Sequence, residues 1–136
     1  MAFVSIIRQT PPSLLDIETL AREALARIPE PFAAHLGEVA LIVEDFADDQ
    51  TLADLGIEDP FDLTGLYHGR PVGEPAASGD PPTTVHLFRQ PILAEWCLDG
   101  ERLDHLVAHV VVHEIGHHFG LSDEAMHALE DAVDSA

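Results

Sequence analysis

The segment that most constrains the fold is residues 103–119, which are apolar on two sides of a helix. At about 100° per residue, one face consists of aliphatic side chains, namely Leu103, Leu106, Val107, Val110 and Val111. The second apolar face comprises Ala108, Val112, Ile115 and Phe119. Apolar surface is removed from water only where another element covers it, so a helix with two such faces is buried. The sequence therefore predicts a central helix with the rest of the chain packed around it.

The same helix ends in His113-Glu114-Ile115-Gly116-His117, which has the pattern H-E-x-x-H. Helical residues four positions apart are neighbours on one face, with Cβ atoms about 5–6 Å apart, so the two imidazoles point at one spot. This geometry suits two nitrogen ligands of a tetrahedral Zn²⁺ ion. Glu114 lies beside that spot and is placed to take a proton from water on the metal. The pattern thus indicates a catalytic metal site.

The motif continues through Gly120 to Asp123 as H-E-x-x-H-x-x-G-x-x-D. Gly120 can adopt a positive φ and end the helix, which turns the chain back toward the metal. Asp123 then offers an oxygen ligand and leaves the fourth position to water, the arrangement of catalytic rather than structural zinc. The alternative role of Asp123 is the N-cap of a last helix over residues 124–133, although Ser122 is also able to cap it.

The extended motif resembles that of metzincin peptidases, in the variant where aspartate replaces the third histidine. More of the chain is similar to the small bacterial zincin-like metallopeptidase family. The stretches that carry this resemblance are residues 39–45, 63–69, 86–93 and 111–123. The chain departs from full metzincins because it has no separate methionine turn, and Met126 is too close to the motif to replace it.

The resemblance implies an α+β, zincin-like fold in a single domain over residues 1–136, with a small mixed sheet packed against helices and a central metal-binding helix. It also implies that His113, His117 and Asp123 are Zn²⁺ ligands and that Glu114 is the catalytic base. Residues 1–12 are expected to be loosely ordered.

Periodicity and turn residues predict the remaining helices. A helix over residues 12–28 is capped by Ser13 and stopped by prolines 29 and 31. A helical turn over residues 32–36 and a short helix over residues 52–55 follow the same reasoning.

Strands are predicted over residues 39–43, as a buried strand, and over residues 83–89. Pro91 indicates that the second of these is an edge strand or ends there. Residues 63–69 are read as a strand or turn, residues 69–82 as a Pro- and Gly-rich surface loop, and residues 93–99 fit either a helix or a strand.

Charge and composition exclude several classes of function. Six Arg and no Lys oppose 25 Asp and Glu, for a formal charge of −19. Nucleic acids and anionic membranes are bound by clustered positive charge, so neither is expected as a partner. No segment reaches the ~20 apolar residues of a membrane-spanning helix. A single cysteine, Cys97, and a poor secretory signal at the start favour the cytoplasm.

Four further polar side chains have two interpretations each. His105 and His109 extend the four-residue spacing of the motif, either as a second metal site or, more plainly, as a partly exposed strip. His118 points about 100° away from His117, so it belongs beside the site or on the surface rather than among the ligands. Tyr67 either stabilises an oxyanion through its hydroxyl or packs in a turn.

The leading functional hypothesis is a zinc-dependent peptidase that acts on a peptide or protein substrate. The substrate would lie extended along an edge strand, for which residues 84–88 are the best candidate. The alternative is a zinc-binding interaction module that retains the site and cleaves little or nothing. Trp96 and Cys97 are expected in the core or at its edge.

Overall fold

The computed structural model describes residues 10–69 and 83–135, and the predicted loop over residues 69–82 lies outside them except for Gly69. The described residues form helix α1 (Leu14–Ala26), a 3-10 turn (Phe32–Glu38), strand β1 (Val39–Glu44), helix α2 (Asp49–Leu55), a second 3-10 turn (Pro60–Asp62), strands β2 (Gly65–His68) and β3 (Thr83–Phe88), and helices α3 (Arg89–Asp99), α4 (Leu103–Phe119) and α5 (Asp123–Ser135).

Helix α1 begins where the sequence predicts it, at a reciprocal cap. The Ser13 hydroxyl accepts a hydrogen bond from the Asp16 backbone N–H at 3.0 Å, and the Ser13 N–H donates to the Asp16 carboxylate at 2.8 Å. Such a capping box satisfies two N–H groups that the first turn cannot pair internally. The helix ends at Ala26, just before the first of the two prolines. Its apolar face is buried against α4.

The three strands form a mixed sheet in the order β1-β3-β2. β1 runs parallel to β3, with Val39 opposite Thr83, whereas β2 runs antiparallel, with Gly65 opposite Leu87. The interpretation of residues 83–89 as an edge strand is wrong, because β3 is central. Pro91 instead marks the end of the strand, since it lies in the first turn of α3, where a missing N–H leaves no hydrogen bond unmade.

The expectation of a fully buried first strand is also wrong, although β1 has nearly the predicted bounds. Its side chains alternate between half-buried and exposed, and Ile42 is 40% exposed. β1 is an edge strand in the described sheet. Of its side chains, those of Val39, Leu41 and Val43 pack on the main core. A run of five apolar residues cannot reveal by itself that one face stays open to water.

The sheet divides the apolar side chains into two groups. Val85 and Leu87 of β3 face the main core, which α1, α4 and α5 complete. Phe88 points to the opposite face, where it joins Leu52 of α2 and Ala47 in a small second cluster. This alternation follows from the period of two along a strand.

Helix α4 occupies the centre, as its two apolar faces predict. It packs against α1, α3 and α5 on the helical side and against β2 and β3 on the sheet side. The architecture is therefore α+β, with a small mixed sheet on helices. The segment over residues 93–99 is part of helix α3. Within the described ranges, no helix is both long and apolar enough to cross a bilayer.

Candidate metal centre

The two motif histidines converge at the exposed side of α4. Their Nε2 atoms lie 3.4 Å apart, and the ring centroids are separated by 5.1 Å with planes inclined at 69°. Both side chains are exposed, while the opposite sides of the same turns are buried in the main core. The packing of α4 thus fixes which face presents the imidazoles.

The separation of the two nitrogens fits a shared tetrahedral metal. Two nitrogens that each bind zinc at ~2.0–2.1 Å with a tetrahedral angle lie roughly 3.4 Å apart. The Nε2 atoms of His113 and His117 show that spacing. A ligand atom of Glu114 completes a group in which all three atoms lie within 4.8 Å of one another. The donor set of two imidazoles and a carboxylate is one that zinc favours.

Glu114 is the half-buried member of this group and lies where α4 meets β2. The backbone amide of Tyr67 lies near its carboxylate. Burial raises the pKa of the Glu114 carboxyl above its ordinary value, while His117, His113 and the Tyr67 amide act in the opposite direction. A half-buried carboxylate with a raised pKa is suited to accept a proton.

The turn after the second histidine forms as the sequence predicts. Gly120 has a φ of 64° and ends α4 in the left-handed region. Its N–H donates to the His117 carbonyl at 3.2 Å, and the Leu121 N–H donates to the Gly116 carbonyl at 2.9 Å. These two bonds define a Schellman motif, which reverses the chain within a few residues.

Asp123 is exposed and is the first residue of α5. It lies outside the group of His113, Glu114 and His117 whose ligand atoms come within 4.8 Å of one another. The alternative that Asp123 caps the last helix is wrong, because the Ser122 hydroxyl accepts the hydrogen bond from the Ala125 N–H at 3.2 Å. The carboxylate of Asp123 is therefore not needed for the cap.

The neighbouring histidines have separate partners. His118 is 1% exposed, so it is not a surface residue, and its Nδ1 lies 3.0 Å from the Tyr67 hydroxyl. The Tyr67 ring packs on the main core from strand β2, not from a turn as its second interpretation predicts. His109 pairs with Glu130 of α5, and its ring stacks near that of His113. Among the described residues, neither His105 nor His109 belongs to a metal-ligating group.

Three close contacts around the site were not anticipated from the sequence. A Cβ added at Gly65 would lie 2.8 Å from Val110 Cγ1 and 3.2 Å from Glu114 Cγ, so β2 approaches α4 through a glycine. A Cβ at Gly116 would lie 2.3 Å from the Met126 methyl group. The third is the approach of the Tyr67 backbone to Glu114, which lowers the pKa of the Glu114 carboxyl. A glycine within a strand is the available signal, since it marks close approach of another element.

Trp96 and Cys97, both expected in the core or at its edge, differ in their exposure to solvent. Trp96 is half-buried against the main core, as expected. Cys97, the neighbouring residue on α3, is exposed, so its placement in the core is wrong.

A buried helix that carries H-E-x-x-H beside a small mixed sheet defines the zincin class of metallopeptidases. The family model described as zincin-like metallopeptidase matches residues 36–133 of the 136-residue chain. The chain therefore belongs to the zincin-like metallopeptidase family. Comparison with curated proteins found no match. Membership implies a divalent metal, usually zinc, and the cluster of His113, Glu114 and His117 is able to hold one.

Proposed function

We propose that this protein is a zinc-dependent peptidase in which Glu114 is the general base. The observation that carries the proposal is the pair of Nε2 atoms 3.4 Å apart with a half-buried carboxylate beside them. Structural zinc sites use four protein ligands, whereas catalytic sites use three and keep one position open. The His113–His117 pair is exposed on its outer side, which leaves room for a substrate.

Asp123 is the proposed third ligand, together with His113 and His117. Two features support this assignment. The Schellman turn at Gly120 brings the chain back beside the helix end, and Ser122 provides the cap of α5 in place of Asp123. Carboxylate oxygen is a common zinc ligand alongside two imidazoles.

The chemistry of the chain's own residues follows from this placement. Bound zinc lowers the pKa of a water molecule and polarises a carbonyl oxygen. Glu114 accepts the proton of the attacking water and then delivers it to the nitrogen of the leaving amine. Half-burial of Glu114 and its packing against Gly65 hold its carboxylate at the site through both transfers.

The substrate would pair with the outer edge of β2 rather than with residues 84–88, because β3 is occupied on both sides. The Phe88 N–H donates to the Thr64 carbonyl at 2.9 Å, so by the alternation of an antiparallel pair the peptide groups of Gly65 and Tyr67 point away from β3. That edge lies close to Glu114, because a Cβ added at Gly65 would be 3.2 Å from Glu114 Cγ. An extended peptide added there would pass the metal site.

Replacement of Glu114 by Gln tests the proposal. The amide keeps the size of the side chain but cannot accept the proton, so zinc content should stay near the wild-type level. Cleavage of a broad peptide library should fall by about 10²–10⁴-fold, the usual contribution of a general base. Glu23→Gln, the same change on the exposed side of α1, is the control and should leave cleavage unchanged. Zinc binding without any cleavage that Glu114→Gln removes would contradict the peptidase proposal and favour the interaction module.

Replacement of Asp123 by Ser tests the third ligand. Serine preserves a good start for α5 but is a poor zinc ligand. Loss of an outer partner of a metal ligand costs 10–100-fold in affinity, so loss of the ligand itself should cost at least ~100-fold. Asp131→Ser, at an exposed position of the same helix, is the matched control. Wild-type zinc affinity in Asp123→Ser would place the third ligand elsewhere.

We also propose that the protein resides in the cytoplasm. Cys97 is the single cysteine and is exposed, which suits a reducing cytoplasm better than an oxidising environment.

A further inference from the structure

The face of the sheet opposite helix α4 carries a cavity that the proposed mechanism does not use. It has a volume of about 350 Å³ and lies between the sheet and helix α2. Side chains alternate between the two faces of a strand, so Leu66 packs in the small second cluster while Tyr67 packs on the main core. Leu66 and His68 of β2 line the cavity, whereas Gly65 lies against Glu114 on the other face.

The buried part of the cavity lining is apolar and partly aromatic. Phe88 is 2% exposed and Ala47 is 8% exposed, and both line the cavity. The ring of His86 lies beside that of Phe88, with centroids 6.1 Å apart and planes inclined at 19°. Leu55 of α2 adds a further apolar side chain to the lining. A concave site with this lining suits a ligand that has an apolar stem.

The acidic residues that line the cavity are Glu44 at the end of β1, Asp48 just before α2 and Asp54 within α2. No Arg or Lys is among the described residues of the lining. Glu44 Oε1 lies 3.3 Å from Nδ1 of His86, which places this carboxylate beside the aromatic pair. Asp48 accepts a hydrogen bond from the Thr51 N–H at 2.7 Å, which fixes its side chain at the helix start. Even with both lining imidazoles protonated, the three carboxylates would leave a net negative charge, which favours a cation.

We propose that this cavity is a substrate-binding subsite for an arginine side chain of the peptide. The inference rests on the proposed peptidase function and deepens it by naming a substrate class. An arginine side chain combines an apolar stem with a planar cation that stacks on aromatic rings and pairs with carboxylates. Lysine has the charge without the plane, so the nearly parallel rings of His86 and Phe88 favour arginine.

A peptide bound at the outer edge of β2 would reach both the cavity and the metal site. In an extended chain, successive side chains point to opposite faces of the sheet. A substrate residue beside Leu66 or His68 would thus direct its side chain towards the cavity. The substrate residues on either side of it would face Glu114. The cavity is therefore placed to set specificity without contact with the metal.

Peptide binding tests the subsite without relying on cleavage. The probe is acetyl-Ala-Ala-Arg-Ala-Ala-amide, whose blocked ends leave arginine as its only charge. It is titrated into the zinc-supplemented full chain with Glu114→Gln, which keeps the peptide intact. The same peptide with citrulline, a neutral isostere of arginine, should bind about 5-fold more weakly, the upper range for a partly exposed ion pair. The lysine peptide should bind with intermediate affinity.

Two-dimensional NMR locates the bound arginine. In the same titration, the amide signals of Thr51, Leu55 and Leu66, which line the cavity, should shift with the arginine peptide and less with the citrulline peptide. The amide signals of α1, on the other side of the sheet, should not distinguish the two peptides. The reverse distribution of shifts would place the arginine outside the cavity and overturn the inference.

Replacement of Glu44 by Gln and of Asp48 by Asn tests the carboxylates. Both changes keep the size of the side chain, and asparagine caps a helix as well as aspartate does. Each should lower the preference for the arginine peptide over the citrulline peptide by about 3-fold. Glu23→Gln, at an exposed position of α1, is the matched control and should keep the wild-type preference. With an active Glu114, the ratio of kcat/KM for the two peptides should fall by the same factor.

Equal binding of the arginine and citrulline peptides would overturn the inference, as would an unchanged preference in both Glu44→Gln and Asp48→Asn. Equal affinity for N-acetylarginine amide and for the pentapeptide would also overturn it, because the cavity would then take a small guanidinium compound rather than a residue of an extended substrate. If the wild type cleaves nothing, the peptidase proposal fails, and the titration still decides whether the cavity binds an arginine side chain.

Discussion

The two flanks of the histidine pair are built in different ways. On the strand flank, Gly65 and Tyr67 lie tightly against α4, and the carboxylate between them is half-buried. On the turn flank, Gly120 has open space around it, and Ser122 and Asp123 are exposed. The strand flank is shaped by tertiary packing, and the turn flank by the local chemistry of a helix end.

Under the proposed function, the two flanks have different tasks. Proton transfer needs a fixed geometry, and Glu114 lies on the flank where packing provides it. The ligand set of a metal site can form as the ion binds, and the proposed third ligand, Asp123, lies on the exposed turn flank. The two flanks should therefore respond differently to equally small substitutions.

Gly65→Ala should give the largest effect, because the added methyl group would meet Val110 Cγ1 at 2.8 Å inside the core. Overpacking of this kind costs about 1–3 kcal/mol, and the cost here should be near the upper value. Gly37→Ala is the control, since a Cβ there meets nothing within 4 Å. Chemical denaturation measures both, and equal stability of the two variants would show that β2 is not tightly packed on α4.

Gly120→Ala should give an intermediate effect, since alanine at a φ of 64° costs roughly 1–2 kcal/mol. Gly100→Ala imposes the same strain at the end of α3, where φ is 68°. Both variants should lose similar stability in thermal denaturation. Only Gly120→Ala should weaken zinc binding, on the order of tenfold by titration, because only that turn directs Asp123. Equal zinc affinity in the two variants would show that the turn at Gly120 does not influence metal binding.

Ser122→Ala should give the smallest effect, because it removes one cap hydrogen bond, that from the Ala125 N–H. The loss should be about 1 kcal/mol of stability, with zinc affinity unchanged. Calorimetry and zinc titration measure the two quantities. A strong loss of zinc affinity would mean that Ser122, as well as Asp123, contributes to metal binding.

Features that depend on neighbouring residues were predictable from the sequence. The Ser13 cap, the end of α4 at Gly120 and the pairing of His113 with His117 each arise within four residues along the chain. Their geometry follows from helix periodicity and backbone preferences alone.

Features that depend on distant residues were not predictable. The central place of β3 results from pairing with β1 on one side and β2 on the other, and no residue of 83–88 encodes that choice. The exposed face of β1 reflects what covers the sheet rather than its own apolar sequence. In the same way, the buried His118 is hydrogen-bonded to Tyr67, which lies far away along the chain.

The parallel pairing of β1 with β3 also has a kinetic consequence. Val39 meets Thr83 only after the long intervening chain has closed into a loop, and such closure slows folding. The backbone hydrogen bonds of helix α4 join residues four apart, so its turns can form within about a microsecond. The two imidazoles therefore come together early, whereas the contact of Gly65 with Glu114 must wait for the sheet. During folding, a nascent helix is able to meet a metal ion before its carboxylate is in place.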